Sequence, residues 1–390
     1  MSATNVRRVY LDYAASAPMR AEALDAERAY EVSSYAGANP NSLHTAGREA
    51  ARALDSARRD LARCLGGGFR PMEVVFTSGG TENNNLAIVG MALGARGRDR
   101  RRTRVIISAI EHDSSLDVAP TLRDRGFEVV TVGPDRAGRI EAEALRPLLG
   151  PDVALVSVMA ANNETGVLQP IGELARVAHD AGALFYTDAA QGFGKVPLDV
   201  RACDAVGVVG HKIGASVGTG ALFVRMRVLV RPLMHGGGQE REIRPGTQDV
   251  RGALGLAAAA RACCEGMDAK CRVVAERAER LYEAVCGSSR ITPTVARDVG
   301  IACLPGIVSL LIEGIDSESL VLQLDARGFE VSAASACASG QTAPSHVLSA
   351  MGVSGLLSSG SLRVSFDERV SQEDLDRFAE ALLEVVNMSA

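Results

Sequence analysis

Lys212 is one of only three lysines in the chain, with Lys195 and Lys270, although Lys and Arg together number 42. Arginine fills nearly every generic basic position, so a surviving lysine points to chemistry that arginine cannot do. Lysine can lose its proton and attack a carbonyl, whereas arginine stays protonated. Lys212 follows the apolar, β-compatible run Ala205–Val209, and Asp188 ends another apolar run, Gly182–Thr187. A Lys and an Asp at the ends of neighbouring strands suit a pyridoxal phosphate site. The Lys holds the aldehyde and the Asp keeps the pyridine nitrogen protonated, so the ring can accept electrons. A solvated lysine beside a strand end fits these residues equally well.

Further residues fit the same chemistry. Thr77-Ser78-Gly79-Gly80-Thr81-Glu82 lies between a strand and a helix, where backbone N–H groups and hydroxyls can cradle a phosphate; the bland reading is a helix cap. His112 follows the strand Arg104–Ser108 and can stack on a flat heterocycle or move a proton. Gln191, in the loop begun by Asp188, and Asn163, in Asn162-Asn163-Glu164-Thr165-Gly166, can supply polar contacts to a cofactor. Cys337 sits in the small, polar run Ala333-Ala334-Ser335-Ala336-Cys337-Ala338-Ser339-Gly340. That composition suits an accessible, nucleophilic thiol better than a buried one. Arg363 lies in a strand-like stretch and can bind a substrate carboxylate through two N–H groups, or form a surface ion pair.

These residues need strand ends to hold them together, and the middle of the chain supplies them. Val74–Phe76, Arg104–Ser108, Phe127–Val132, Ala154–Val158, Ala183–Tyr186, Ala205–Val209 and Gly220–Val224 read as strands. Helical stretches separate most of them: one from Thr81, one through Leu122, and Ile171–Ala181. Repeated βα units predict an α/β fold with a large, mostly parallel sheet and ligands at the strands' carboxyl ends. After Gly246 one long Ala/Arg/Glu-rich helical stretch runs to Cys286. Ile307–Ile312, a helix Ser317–Arg327 and Phe329–Ser332 then form a smaller C-terminal α/β unit. The expected division is 16–262 for the large cofactor-binding domain, and 1–15 with 263–390 for the small domain.

The chain of 390 residues is 47% hydrophobic and 23% charged, which is globular rather than disordered. A net charge of −5 argues against direct nucleic-acid binding. The arginine-rich segment 96–104 reads as a solvated loop. Met1–Tyr10 lacks the apolar core of a signal peptide, and no apolar run approaches the ~20 residues of a membrane span. Eight cysteines without disulfide-scaffold density suit a reducing cytoplasm. Cys263, Cys264, Cys271 and Cys286 share one helical stretch without a CxxC pair, which argues against a metal site.

In their order along the chain these motifs resemble the cysteine desulfurases, pyridoxal phosphate enzymes of fold-type I and the class V aminotransferase group. The likeness begins at Tyr10-Leu11-Asp12-Tyr13-Ala14-Ala15 and Asn39-Pro40-Asn41-Ser42-Leu43-His44. It includes the motifs above, Met234–Glu240 and Arg244-Pro245-Gly246-Thr247, and the length from Cys337 to Arg363 resembles the longer-loop subgroup. The resemblance implies that Lys212 holds pyridoxal 5'-phosphate and serves as acid and base. It implies that His112 stacks on the ring, Asp188 and Gln191 contact it, and Gly80, Thr81 and His211 bind phosphate. Asn163 contacts cofactor and substrate, and Arg363 orients the substrate. Cys337 takes sulfur from L-cysteine as a persulfide, for delivery to an acceptor protein, leaving L-alanine. Thr247 reaches the neighbouring subunit's phosphate, implying a homodimer. Selenocysteine lyase, another class V enzyme such as an aminotransferase, or a non-catalytic subunit of a sulfur-transfer complex are the alternatives. The chain departs from the family at Val209, where a serine is usual, in Ile213–Gly218, and at Ala334, where a glycine is common.

Overall fold

The computed structural model describes residues 7–296, 300, 302–333 and 345–388. Seven strands form the larger sheet, in the spatial order Val74–Thr77, Gly220–Val224, Ala205–Val209, Leu184–Asp188, Val153–Ser157, Arg104–Ser108, Glu128–Val132. The pairings from Ala205–Val209 through Glu128–Val132 are parallel. Gly220–Val224 runs antiparallel to both of its neighbours. Val153–Ser157, Ala205–Val209 and Gly220–Val224 are buried at every position. Their continuous apolar runs, without alternation, fit a sheet covered on both faces.

The helices follow the sequence pattern with instructive differences. The stretch through Leu122 forms two short helices, Asp113–Leu116 and Ala119–Asp124, with Pro120 in the first turn of the second. Proline lacks the N–H that would continue the first helix and suits the start of a new one. The long stretch ending at Cys286 is likewise two helices, Val250–Cys264 and Met267–Val285. Gly266 between them has φ 64°, a left-handed conformation that glycine adopts at little cost. Phe329–Ser332 also divides: Phe329–Glu330 pairs in parallel with Val9–Tyr10, and Ser332–Ala333 pairs antiparallel with Ser361–Ser365. The second sheet orders Ser332–Ala333, Ser361–Ser365, Ile307–Ile312 and Ile291–Pro293, all antiparallel.

Two large apolar clusters lie on opposite faces of the seven-stranded sheet, and a third joins Val9, Leu11, Tyr13 and Ala17 to the second sheet and the helix Gln372–Met388. Residues 9–17 tie this third cluster to the larger sheet. Leu11 N–H donates to Glu330 O (2.8 Å), Ala14 N–H to Ser365 Oγ (2.8 Å), and Ala17 N–H to His211 O (2.8 Å). No helix among the described residues is long and apolar enough to cross a membrane. The segment 96–104 is less solvated than its composition predicts. Arg102 donates to Val153 O at 2.7 Å, and Arg96 stacks on Phe127.

Gly94 and Gly97 share the helix Met91–Arg98 but meet different surroundings. A Cβ on Gly94 would come 1.8 Å from Leu229 O, whereas one on Gly97 would meet only an Arg231 nitrogen, at 3.5 Å. Gly94→Ala should therefore destabilise the protein by about 1–3 kcal/mol through overpacking. Gly97→Ala should be neutral or stabilising by up to about 1 kcal/mol, both measured by denaturant unfolding.

Candidate active site

The carbonyl of Ala14 gathers the central groups. Lys212 Nζ donates to Ala14 O (2.6 Å) and Ala15 O (2.8 Å). Gln191 Nε2 donates to the same Ala14 O at 2.8 Å. Lys195, from the same turn, donates to Gln191 Oε1 at 3.0 Å and so fixes which end of that amide is the donor. Ala14, Lys212, Gln191, Asp188, His112, Asn163, Arg363, His211, Gly80 and Thr81 all line one cavity at the carboxyl ends of the parallel strands. Ten of the expected site residues or their anchors thus converge in one place, although they lie far apart in the chain.

Asp188, the last residue of its strand, is buried and held from two sides. Asn84 Nδ2 donates to its Oδ2 (2.9 Å) and the Ala190 N–H to its Oδ1 (2.8 Å). Asn84 in turn accepts from the Tyr186 hydroxyl at 2.6 Å and donates to Ser114 Oγ at 2.8 Å. Ser114 reaches His112: its N–H donates to Nδ1 at 3.1 Å, and its hydroxyl lies 2.9 Å from the same nitrogen. A backbone donor on Nδ1 requires that nitrogen to accept, placing the proton of the neutral ring on Nε2. Asn84, Tyr186, Ser114 and Lys195 were not among the expected site residues. The Asn83-Asn84-Asn85 run just inside a helix was a visible signal, since asparagine is a poor interior helix former.

The Gly79–Gly80 turn opens the helical run that begins at Gly80. Gly79 has φ 145° and a Cβ there would meet nothing within 4 Å, leaving open space at the helix start where a phosphate fits. Val209 borders that turn, with a methyl 3.2 Å from where a Gly80 Cβ would stand. The side chain there is apolar, so this wall of the cradle lacks a hydroxyl donor. Thr247 is exposed and is not among the residues lining the cavity of its own chain. Its loop is anchored by Glu240, which accepts from the Phe76 N–H (2.8 Å) and pairs with Arg58 (2.5 Å). Glu240, Arg241 and Glu242 all take positive φ, a strain the buried anchor sustains.

Arg363 does not sit on the surface, as an ordinary ion pair would. It is 2% exposed, with Nη1 donating to Asn163 O (2.9 Å) and Nη2 paired with Asp12 (2.8 Å). These bonds aim the guanidinium at the cavity while using only part of its five-donor fork. Cys337 lies outside the described residues, as does Ala334. The flanks are described: Ser332 pairs across the sheet with Arg363, and Ser345 Oγ donates to the buried Glu164 at 2.5 Å. His346 Nε2 lies 2.9 Å from Glu111 O, beside His112.

The local field is crowded with cations. Burial, then Lys212 and Lys195, push His211 down to about 4, so its ring is neutral at physiological pH. Burial and the charge of Lys212 push Lys195 down to about 8. All three lysines line a second cavity, which shares Ala14 and Lys212 with the first. Glu111 is fully buried, and burial, with a smaller contribution from Asp188, pushes its carboxyl up to about 8. Its proton is therefore retained at neutral pH in the folded protein and lost in the unfolded one. Stability from this group is full below the ordinary carboxylate range and falls as pH rises toward 8. Glu111→Gln should flatten that decline, gaining stability relative to wild type at pH 8 compared with pH 5 in urea unfolding.

The donor set fits a pyridoxal phosphate: a lysine amine, a buried aspartate across the cavity, a histidine ring and a glycine turn. Residues 9–378 match the family model for class V aminotransferases. The chain is 41% identical to an IscS-like cysteine desulfurase of Mycobacterium tuberculosis, over 96% of this chain and 95% of that one. Among solved structures, a NifS-like protein superposes with a TM-score of 0.88 at 30% identity, covering 98% of this chain and all of the other. SspA in complex with cysteine superposes with a TM-score of 0.79 at 31% identity, over 92% and 98% of the two chains. The α/β fold with a large, mostly parallel sheet, the cavity at its strand ends and likeness along nearly the whole chain agree: this protein belongs to the class V aminotransferase family, among its cysteine desulfurases.

Proposed function

We propose that this cysteine desulfurase converts L-cysteine to L-alanine at the cavity around Lys212, using pyridoxal 5'-phosphate, and moves the sulfur onto Cys337 as a persulfide. The observation that carries the reading is the placement of Lys212 Nζ on the Ala14 and Ala15 carbonyls, in one cavity with Asp188, His112 and Gln191. When bound, pyridoxal phosphate supplies an aldehyde carbon for an amine and a ring that draws electrons from the substrate's α-carbon.

Each residue then has a defined task. Asp188 would keep the ring nitrogen protonated, its carboxylate held in place by the Asn84 and Ala190 donors. His112 would pack against the ring, and Gln191, its Oε1 held by Lys195 and one Nε2 hydrogen on Ala14 O, would offer its second N–H to the ring oxygen. Gly80, Thr81 and His211 would bind the phosphate, with Thr247 of a second copy completing the site in a homodimer. Asn163 and Arg363 orient the substrate. Lys212 would hold the cofactor's aldehyde carbon, and its amine, once free, would take a proton from the substrate α-carbon and return protons as alanine forms.

Sulfur transfer balances without an outside oxidant. The Cys337 thiolate attacks the substrate sulfur and an S–S bond forms. The substrate C–S bond breaks, and its electron pair stays with the carbon framework, which is protonated to alanine. We assign residues 16–262 to the cofactor-holding unit, and 1–15 with 263–390 to the smaller unit that carries Cys337. L-cysteine as substrate and delivery of the persulfide to an acceptor protein follow the same reading. Cytoplasmic placement belongs to the same reading, supported by the lack of a disulfide among the seven described cysteines.

Purified protein given L-cysteine should carry one extra sulfur, mapped to Cys337 by mass spectrometry, and Cys337→Ala should retain the cofactor's visible absorbance yet form no persulfide. A persulfide mapped elsewhere in cofactor-loaded wild type would overturn the reading. Val209→Ser restores a hydroxyl beside Gly80, worth about 1 kcal/mol as a hydrogen bond. It should lower the cofactor dissociation constant by roughly fivefold, measured by absorbance titration; an unchanged constant counts against a missing phosphate donor.

A further inference from the structure

The cysteines of the helical stretch ending at Cys286 have no place in the reaction above, and one of them has a partner 200 residues away in the chain. Cys64 is the penultimate residue of the helix Thr45–Leu65, and Cys264 ends the helix Val250–Cys264 packed against it. The Cys264 thiol donates to Cys64 O at 3.6 Å, across the contact between the two helices. Both residues are half-buried and line a surface cleft with Arg63, Arg261 and Arg272. Glu265 and Asp268 also line the cleft, and Asp60 pairs with Arg63 and Arg261, so the wall is close to neutral.

We propose that Cys64 and Cys264 form a modification site for hydroperoxides, in which Cys64 is the attacking sulfur and Cys264 the resolving one. The S–H of Cys264 stabilises negative charge on Cys64 and holds its thiol below the usual range against the opposing effect of burial; Arg63 and Arg261 add to this, and Asp60 opposes it. The same contact drives the Cys264 thiol upward. The two sulfurs are thus unequal, one poised to attack and the other protonated beside it, the arrangement that favours reversible thiol oxidation.

The chemistry balances as follows. The Cys64 thiolate attacks the peroxide O–O bond, giving a sulfenic acid and releasing an alcohol, or water from hydrogen peroxide. The Cys264 sulfur then attacks the Cys64 sulfur, forming S–S and releasing water; two thiols are oxidised and one peroxide is reduced. A small dithiol reverses the step. The site stands apart from the persulfide chemistry of Cys337, and its test does not depend on desulfurase activity. One link runs to the active site: Cys263, beside Cys264, donates from Sγ to Ile213 O at 3.5 Å, next to Lys212.

Hydrogen peroxide added in stoichiometric amount to the reduced, cofactor-loaded protein should join the tryptic peptides 64–96 (the Arg70–Pro71 bond resists trypsin) and 262–270, with loss of two hydrogens, and dithiothreitol should separate them. The link should vanish in Cys64→Ser and in Cys264→Ser and persist in Cys263→Ser, which shares the second peptide. In unmodified wild type, iodoacetamide should alkylate Cys64 several-fold faster than Cys264 at neutral pH, a measurement that needs no variant to fold. A link that survives Cys264→Ser, no link at all, or equal alkylation of the two thiols would overturn the proposal.

Discussion

The carbonyl oxygen of Ala14 is the constraint on which the site depends. Lys212 and Gln191 both donate to it, while the Ala14 N–H is held by Ser365 Oγ of the smaller sheet. A single peptide unit therefore fixes a lysine and an amide from the larger sheet relative to a strand of the smaller one. Polar groups buried this way are costly to leave unpaired, so the N-terminal segment has little freedom to be elsewhere. Ala17 N–H on His211 O closes the same clamp one turn further on.

From that clamp the other parts follow in shells. Asp188 is aimed by Asn84, Asn84 by Tyr186, and His112 by Ser114, each through a side chain whose other bonds are already made. Lys195 sets the donor end of Gln191 and adds positive charge behind Lys212 and His211. Arg363 reaches the cavity from the smaller sheet with Asp12 and the Asn163 carbonyl on its fork. Such supporting contacts keep reactive groups within small tolerances, and positioning of that kind carries much of catalysis.

The strand ends were legible because each carried an unusual polar residue directly after an apolar run, as at Asp188 and His211–Lys212. Arg104–Ser108, Ala205–Val209, Gly220–Val224 and Ile307–Ile312 have the boundaries their apolar runs predict. The antiparallel course of Gly220–Val224 was not legible, since direction leaves no mark on an apolar strand. The breaks near Pro120 and at Gly266 had local signals, but helical composition on both sides outweighed them. Arg363 looked equally suited to surface and site. Only the register that places it opposite Ser332 and within reach of Asp12 separates the two.

The sequence by itself determined the chemistry: a rare lysine, an aspartate at a strand end, a glycine turn before a helix, and a lone thiol in a small-residue run. Residue type sets pKa range, nucleophilicity and hydrogen-bonding capacity, and those survive without coordinates. The tertiary structure decided which of these groups share a cavity, which end of the Gln191 amide donates to Ala14, and that Val209 borders the glycine turn. It also decided that Cys64 meets Cys264. These are contacts between residues up to hundreds of positions apart, and they arise only when sheet order and helix packing bring the chain together. Spacing along a sequence carries no direct record of such contacts.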